Sequence, residues 1–240
     1  MKRKRGFYEK YVKRILDIIF SLLAIIVFCW LFVIVAIVVK AKIGSPVVFK
    51  QPRPGLIDKN TGKEKIFYMY KYRTMSNECD KDGKLLPDEQ RLGKFGKSLR
   101  HSSLDELLEV FNILKGDMSI IGPRPQLVRD MVFMSEHQRL RHSAKPGVSG
   151  LAQVNGRNAI TWEEKLDWDL KYIEDVSFLG DLKIIIMTVK KVFGKQENAS
   201  ELDVTYDYGD ALLNEGCISK EKYDELQMYA SNLLKEFENR

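Results

Sequence analysis

Residues Ile18 to Val39 read IIFSLLAIIVFCWLFVIVAIVV, 22 positions in which only Ser21 is clearly polar. As a helix rising 1.5 Å per residue, this run extends about 33 Å, enough for the hydrocarbon core of a bilayer. It is longer than a signal-peptide core, and no small-residue cleavage site follows it. The expectation is therefore a membrane-embedded helix and not a removed leader. Lys2, Arg3, Lys4, Arg5, Lys10, Lys13 and Arg14 precede the run, and Lys40, Lys42, Lys50 and Arg53 follow it. Positive charge marks the cytoplasmic side, so both ends ask to be cytoplasmic. A straight crossing satisfies one end, whereas a helix that enters and returns satisfies both. A return needs a break, usually a proline, and none lies between Ile15 and Lys42. The run alone leaves the topology open.

The chain is long enough for one sizeable domain or two small ones. Its formal charge of +6 is uneven: from Gln196 onward eleven acidic and four basic residues give −7, leaving +13 for residues 1–195. A basic body suits an anionic partner, whether phosphate, lipid surface or nucleic acid. Three scattered cysteines, Cys29, Cys79 and Cys217, form neither a disulfide framework nor a metal-ligand spacing.

Beyond the apolar run, Pro46, Pro52 and Pro54 predict an extended stretch over 44–55. Residues 65–75 alternate as a strand does. Leu104, Leu107, Leu108, Phe111 and Leu114 have helical spacing, ended at Gly116. A short polar helix is expected at 135–142, a glycine-rich loop with a short strand at 145–158, and helices at 161–175 and 181–193. Thr161 with Glu164 has the spacing of a capping box. Two further helices, 207–215 and Ser219 to Phe237, read as a solvated surface hairpin, with a weak similarity to small oligomerisation modules.

Two adjacent carboxylates, Asp105 and Glu106, raise the question of chemistry. Ser103 and Glu106 have the spacing of a capping box, with Asp105 in the first helical turn where the dipole favours negative charge. Read alone, the stretch favours an ordinary helix start. An ionised carboxylate is nevertheless a competent nucleophile toward phosphorus and a ligand for Mg²⁺. Arg124 stands between two prolines in GPRP (122–125), a planar fork suited to phosphate oxygens. The glycines of KPGVSG and NGRN allow backbone N–H groups to approach an anion, with Arg157 adding charge. His101, His137 and His142 have no ligand spacing, and surface positions are expected for them.

KRILD before the apolar run, then VVFKQPRPG, YKYRTM, SSLDELLEVFNILKGDMSIIGPRP, KPGVSGLAQVNGRN and DLKIIIMTV, occur in that order. Together they resemble the bacterial sugar transferase family, the monotopic polyprenyl-phosphate phosphoglycosyl transferases, over about residues 8–193. The resemblance implies an α+β, mostly α-helical fold. A basic N-terminus and a re-entrant membrane helix would fill residues 1–42, with its hydrophobic part at 18–39. A small cytoplasmic catalytic domain lying on the membrane surface would fill 43–195, and an acidic helical appendage 196–240. It implies transfer of a sugar phosphate from a UDP-sugar to polyprenyl phosphate with release of UMP, through a covalent Asp-phosphosugar intermediate, as the first membrane step of glycan assembly. On it, Asp105 is the nucleophile and Mg²⁺ ligand, Glu106 its catalytic neighbour, and Arg73, Arg124 and Arg157 the phosphate-binding residues. The expected partners are membrane lipid and the two substrates, with no nucleic acid and a homo-oligomer possible through the tail. The expected location is the cytoplasmic face of a bacterial inner membrane. The alternatives are a membrane-tethered basic protein that binds anionic lipid or nucleic acid without catalysis, and a glycosyltransferase that releases UDP. The family commonly has Ser-Pro within the membrane helix where Cys29 and Trp30 stand here, and Gly-Trp where Gly150 and Leu151 stand.

Overall fold

The computed structural model describes residues 3–156, 160–193 and 207–239. Arg157 and the 194–206 connection fall outside the described residues. Among the described residues the fold is mostly helical, with four strands. A π-helical turn, Tyr8–Val12, leads into α1 (Lys13–Lys42). There follow β1 (Val48–Ile57), β2 (Glu64–Tyr72), α2 (Asp88–Arg91), α3 (Lys94–His101), a 3₁₀ turn at Leu104–Leu108 and α4 (Glu109–Lys115). Then come β3 (Ser119–Ile121), α5 (Val128–Met131), α6 (Glu136–Arg139), a 3₁₀ turn at Leu140–Ser143, β4 (Gly147–Ser149) and α7 (Leu151–Asn155). The chain ends with α8 (Trp162–Glu174), α9 (Phe178–Phe193), α10 (Tyr208–Asn214) and α11 (Lys220–Glu238).

Strands β1 and β2 pair in a two-stranded sheet. Pro52 and Pro54 are tolerated in β1 because a two-stranded sheet leaves each strand one unpaired edge. The chain forms two compact units: one holds Leu16–Gln51 with Tyr68–Gly116, the other the residues up to Ile15, Pro52–Phe67 and those from Asp117 onward.

In the unit that holds most of α1, Val35 and Val39 bury against Tyr72, Leu99 and Leu108, with Leu104 and Leu107 packed alongside. Each fully buried aliphatic side chain here contributes about 1.5–3 kcal/mol. Much of the remaining helix surface is apolar and exposed, including Ile19, Ile26, Trp30, Val33 and Ile37, while Asp17 and Ser21 are buried. By length and composition it is able to cross a membrane. It is broken at Phe28, whose φ of −107° and ψ of 15° are not helical. No proline causes the break; the Trp30 indole N–H donates to the Val27 carbonyl at 3.1 Å, and a side chain bonded into the helical ladder is a recognised companion of a kink.

In the larger unit, β3 and β4 pair in parallel, Ser119 with Gly147 and Ile121 with Ser149. Ile121, Ala144, Val154, Tyr172, Ile173 and Ile184 form its core. Asp181 of α9 receives the Lys13 ammonium at 2.5 Å and the Tyr8 hydroxyl at 2.7 Å, which ties down the N-terminal segment.

The expected capping box of α8 is present: Thr161 Oγ1 accepts from Glu164 N and Glu164 Oε2 from Thr161 N. Ser219 likewise caps α11. The terminal hairpin is not simply solvated, however. Ala230, Leu233 and Leu234 pack on Val128 and Met131. Tyr208 is buried with Met134 and Leu166, and its N–H donates to Asp130 Oδ1. Local periodicity shows that a hairpin forms but not what its apolar face covers.

Candidate active site

Asp105 and Glu106 lie on the 3₁₀ turn Leu104–Leu108. The expected capping box is absent. Ser103 has a left-handed backbone (φ 54°) and makes no side-chain cap, and Glu106 N bonds to the Ser103 carbonyl. Glu106 is taken up elsewhere: its Oε1 receives the Lys71 ammonium at 2.7 Å, and the same ammonium lies 3.3 Å from Glu109 Oε1. Leu104, Leu107 and Leu108 anchor the turn in the apolar cluster beneath α1.

The strand that carries Lys71 is fixed to α4 by Asn112. Its Nδ2 donates to the Tyr68 carbonyl at 2.7 Å, and its Oδ1 accepts from Tyr70 N at 3.0 Å. Arg100 is set by α3, which packs so closely that a Cβ at Gly96 would lie 2.0 Å from the Thr74 carbonyl oxygen. Arg100 Nε donates to Thr74 Oγ1 at 3.0 Å.

These cations bear on Asp105, which is 7 % exposed. Burial raises its pKa above the ordinary carboxylate value; Lys71 and Arg100 pull it down, while Glu106 pushes it up. A helix start was expected to hold Asp105 ionised. In the structure the five-residue 3₁₀ turn offers little aligned dipole, and that work falls to Lys71 and Arg100.

Lys71 and Arg100 escaped the sequence reading because what positions them is not local: Arg100 is bonded to Thr74, 26 residues away. Lys71 is 35 residues from Glu106. The one available signal was the row Tyr70-Lys71-Tyr72-Arg73, which sets two cations in a strand of bulky residues. Arg73 itself is buried, and its Nη1 and Nη2 donate to the carbonyls of Ser45 and Ile43 at 3.0 and 2.8 Å. Its fork closes the chain leaving α1.

In the larger unit, three successive carbonyls of the Gly-Pro-Arg-Pro turn each receive a donor. Pro123 O accepts from Gly147 N at 3.0 Å, Arg124 O from Arg141 Nη2 at 2.6 Å and Pro125 O from Arg53 Nη1 at 3.0 Å. The Arg124 side chain itself is exposed. Two glycines of KPGVSG allow close packing on Gly122: a Cβ at Gly147 would lie 2.1 Å from Gly122 N, and one at Gly150 would lie 2.1 Å from Gly122 O.

Arg141 and Asp169 are each 1 % exposed and paired, with Nε to Oδ2 at 2.9 Å and Nη2 to Oδ2 at 2.5 Å. His142, expected at the surface, is buried between Arg141 and Glu64. Burial lowers its pKa to about 4. The ring is therefore neutral at pH 7, with Nδ1–H toward Glu64 and Nε2 toward Arg141. Glu64 has its pKa lowered to about 2: burial opposes ionisation, but the bonds from His142 and Arg139 outweigh it. Among the described residues no three Asp, Glu, His or Cys side chains converge as a metal cage.

The model of the bacterial sugar transferase family matches residues 8–195. The chain belongs to the bacterial sugar transferase family. It is 52 % identical over 155 residues to an uncharacterized sugar transferase, EpsL, of Bacillus subtilis, a match covering 65 % of this chain and 74 % of that one. It is 38 % identical over 189 residues to the UDP-glucose:undecaprenyl-phosphate glucose-1-phosphate transferase of Klebsiella pneumoniae, covering 75 % and 40 %. It is 32 % identical over 193 residues to the UDP-N-acetylgalactosamine-undecaprenyl-phosphate N-acetylgalactosaminephosphotransferase of Aeromonas hydrophila, covering 76 % and 44 %. The chain thus spans about two fifths of the length of these two named transferases.

Proposed function

We propose that this sugar transferase moves a sugar phosphate from a UDP-sugar to polyprenyl phosphate with Asp105 as nucleophile. The observation that carries the reading is a buried carboxylate on a leucine-anchored turn, its pKa raised by burial and its charge offset in part by two cations, Lys71 and Arg100. The names of the Klebsiella and Aeromonas relatives support the substrate classes.

In the first half-reaction an Asp105 oxygen attacks the sugar-bearing phosphorus of the donor. A P–O bond forms to the carboxylate, the P–O bond to the bridging oxygen breaks, and UMP leaves with that electron pair. In the second, an oxygen of polyprenyl phosphate attacks the same phosphorus and Asp105 leaves as a carboxylate. The products are polyprenyl-diphosphate-sugar and the original enzyme. Such transfer depends on positioning and charge neutralisation. Asp105 supplies the first from its leucine-anchored turn, and Lys71 and Arg100 supply the second. Glu106 and Glu109 hold the Lys71 ammonium in place.

Mg²⁺ fits this donor set. Lys71 occupies Glu106 and Glu109, leaving Asp105 as the acidic group of the turn that can join phosphate oxygens around the cation, the usual sparse protein contribution to Mg²⁺. When bound it would neutralise phosphate charge.

Placement on the cytoplasmic face of a bacterial inner membrane, with α1 re-entering, is supported by three observations. Basic residues flank both ends of α1. The helix breaks at Phe28, where Trp30 satisfies a carbonyl that lipid would not. On α9, Phe178, Leu182, Ile185, Ile186, Val189 and Val192 form an exposed apolar stripe beside Lys183, Lys190 and Lys191, the composition of a helix lying in a lipid interface.

The test is an assay of the purified full chain in lipid nanodiscs with a panel of UDP-sugars. Multiple-turnover UMP release that requires polyprenyl phosphate is expected. Release of UDP instead assigns transfer of the sugar alone and overturns the reading.

A further inference from the structure

Asn112 of α4 is buried to 0 % exposure, and both ends of its amide are used. Nδ2 donates to the Tyr68 carbonyl at 2.7 Å, and Oδ1 accepts from Tyr70 N at 3.0 Å. Both of these backbone groups lie on one edge of β2. The sheet has two strands, and Arg73 N donates to the carbonyl of Val47, just before β1. Backbone groups of successive strand residues point to opposite edges, so those of Tyr68 and Tyr70 point away from β1. Buried groups on such an edge must find partners elsewhere. A side-chain amide is chemically a peptide group. Asn112 supplies both halves of it, as one residue of a parallel strand opposite Met69 would.

This contact is one of three along a single face of α4. Glu109, Asn112 and Lys115 follow at three-residue spacing, that of helical neighbours. Glu109 Oε1 lies 3.3 Å from the Lys71 ammonium, and the Lys115 ammonium donates to the Tyr70 hydroxyl at 2.6 Å. Those two contacts run through long, flexible lysine stems, which adapt to small shifts. The Asn112 side chain has only two torsions, and its bonds are to backbone. It therefore fixes where β2 lies along α4, and with it where the Lys71 side chain begins.

We propose that Asn112 is a positioning residue: it holds β2 in the register on α4 that lets one Lys71 ammonium bridge Glu106 and Glu109, beside Asp105 on the turn. It acts through the strand and not on the reacting atoms. Its effect on turnover rests on the reading of Asp105 as nucleophile; its effect on Lys71 does not.

The test compares wild type, Lys71→Met, Asn112→Leu, Asn112→Ala and the double variant Lys71→Met/Asn112→Leu. Ile113→Val, which loosens another buried position of the same helix, is the control. Leu matches the branching of Asn but replaces both amide atoms with methyls, so it removes the bonds and leaves no cavity. Should that variant not fold, Asn112→Ala reads the same effect with water free to reach the strand edge. Lysine reactivity is measured on the full chain in nanodiscs with an amine-acetylating reagent and peptide mass spectrometry. Lys71, paired and with its side chain 15 % exposed, should label slowly in wild type. The Asn112 variants should label it about fivefold faster, the equivalent of one lost hydrogen bond, and Ile113→Val should not. In turnover, Asn112→Leu should move the acid limb of kcat/KM to higher pH, in the direction of Lys71→Met. It should lower kcat about tenfold with KM for both substrates unchanged. The double variant should lose no more than Lys71→Met alone. A residue that only supports the fold would lower the unfolding temperature and leave the acid limb in place. That result, or losses that add in full, overturns the proposal. Unchanged Lys71 labelling also overturns it, whatever the assay for UMP shows. So does a Tyr70 amide that exchanges with deuterium in wild type at the rate of an exposed amide, a result that needs no variant. Faster labelling in a protein that never forms an Asp105 adduct overturns the nucleophile and leaves the placement of Lys71 by Asn112 standing.

Discussion

At the scale of single residues, Lys71 connects structure to chemistry. It bridges Glu106 and Glu109 and is the leading charge that lowers the pKa of Asp105. Replacing it with Met raises that pKa further. The acid limb of the pH profile of kcat/KM should then move to higher pH, and kcat at pH 7 should fall by about 10²-fold, a typical loss for a group that stabilises transferring charge. An unmoved acid limb contradicts the role. A second residue effect concerns stability. His142 has a folded pKa of about 4 against 6.5 in the unfolded chain, so below pH 6.5 the unfolded state binds the extra proton. Its contribution is full above pH 6.5 and is lost as pH falls toward 4, at a total of about 3 kcal/mol. Asp130, raised to about 6 by burial, acts in the opposite sense: its cost appears as pH rises from 3.8 through 6. Urea unfolding of His142→Gln beside wild type, from pH 7 to pH 4, should show a flatter loss in the variant. Neither Lys71 nor His142 was legible in the sequence, because their partners lie 35 and 78 residues away. Asp105 was legible, as a carboxylate beside another in a named family pattern; its environment was not.

Among the elements, local signals carried furthest. The caps of α8 and α11, the strand β2 and the stop at Gly116 (φ 91°) each follow from residues within one turn. The helix α3 and the strand β3 escaped, because they depend on backbone approach at Gly96 and Gly122 across long sequence separations, whereas the short strand expected within 145–158 is β4. The break in α1 escaped for a different reason: the signal sought was proline, and Trp30 stands where its indole reaches Val27. Trp30→Phe keeps the apolar ring and removes the donor. It should cost about 1 kcal/mol of stability in nanodiscs and straighten the helix. Single cysteines placed near Lys4 and near Lys42 should both label from the cytoplasmic side in wild type; labelling near Lys4 only from the periplasm refutes re-entry. The hairpin α10–α11 makes another prediction. Truncation after residue 206 uncovers Val128, Met131, Met134 and Leu166. The truncated chain should unfold at least 5 °C lower or aggregate, since losing burial of even one such side chain costs about 2 kcal/mol. An unchanged midpoint would mean that the hairpin is a passenger.

For the whole molecule, the charge division of +13 before Gln196 and −7 after it is visible in the sequence, and it narrows the partner to anions without choosing among them. The family match over residues 8–195 and the carboxylate with its cations are the grounds for the proposed phosphate-bearing substrates. The central claim is that phosphorus passes through Asp105. The most direct test incubates the purified chain with the UDP-sugar that supports turnover, without lipid acceptor, followed by peptide mass spectrometry. A sugar-phosphate mass on Asp105, with one UMP released per protein and the adduct discharged by polyprenyl phosphate, is the expected result. UMP formed only after acceptor is added, with no adduct at any time and with Asp105→Asn still turning over, would show direct transfer and contradict the account.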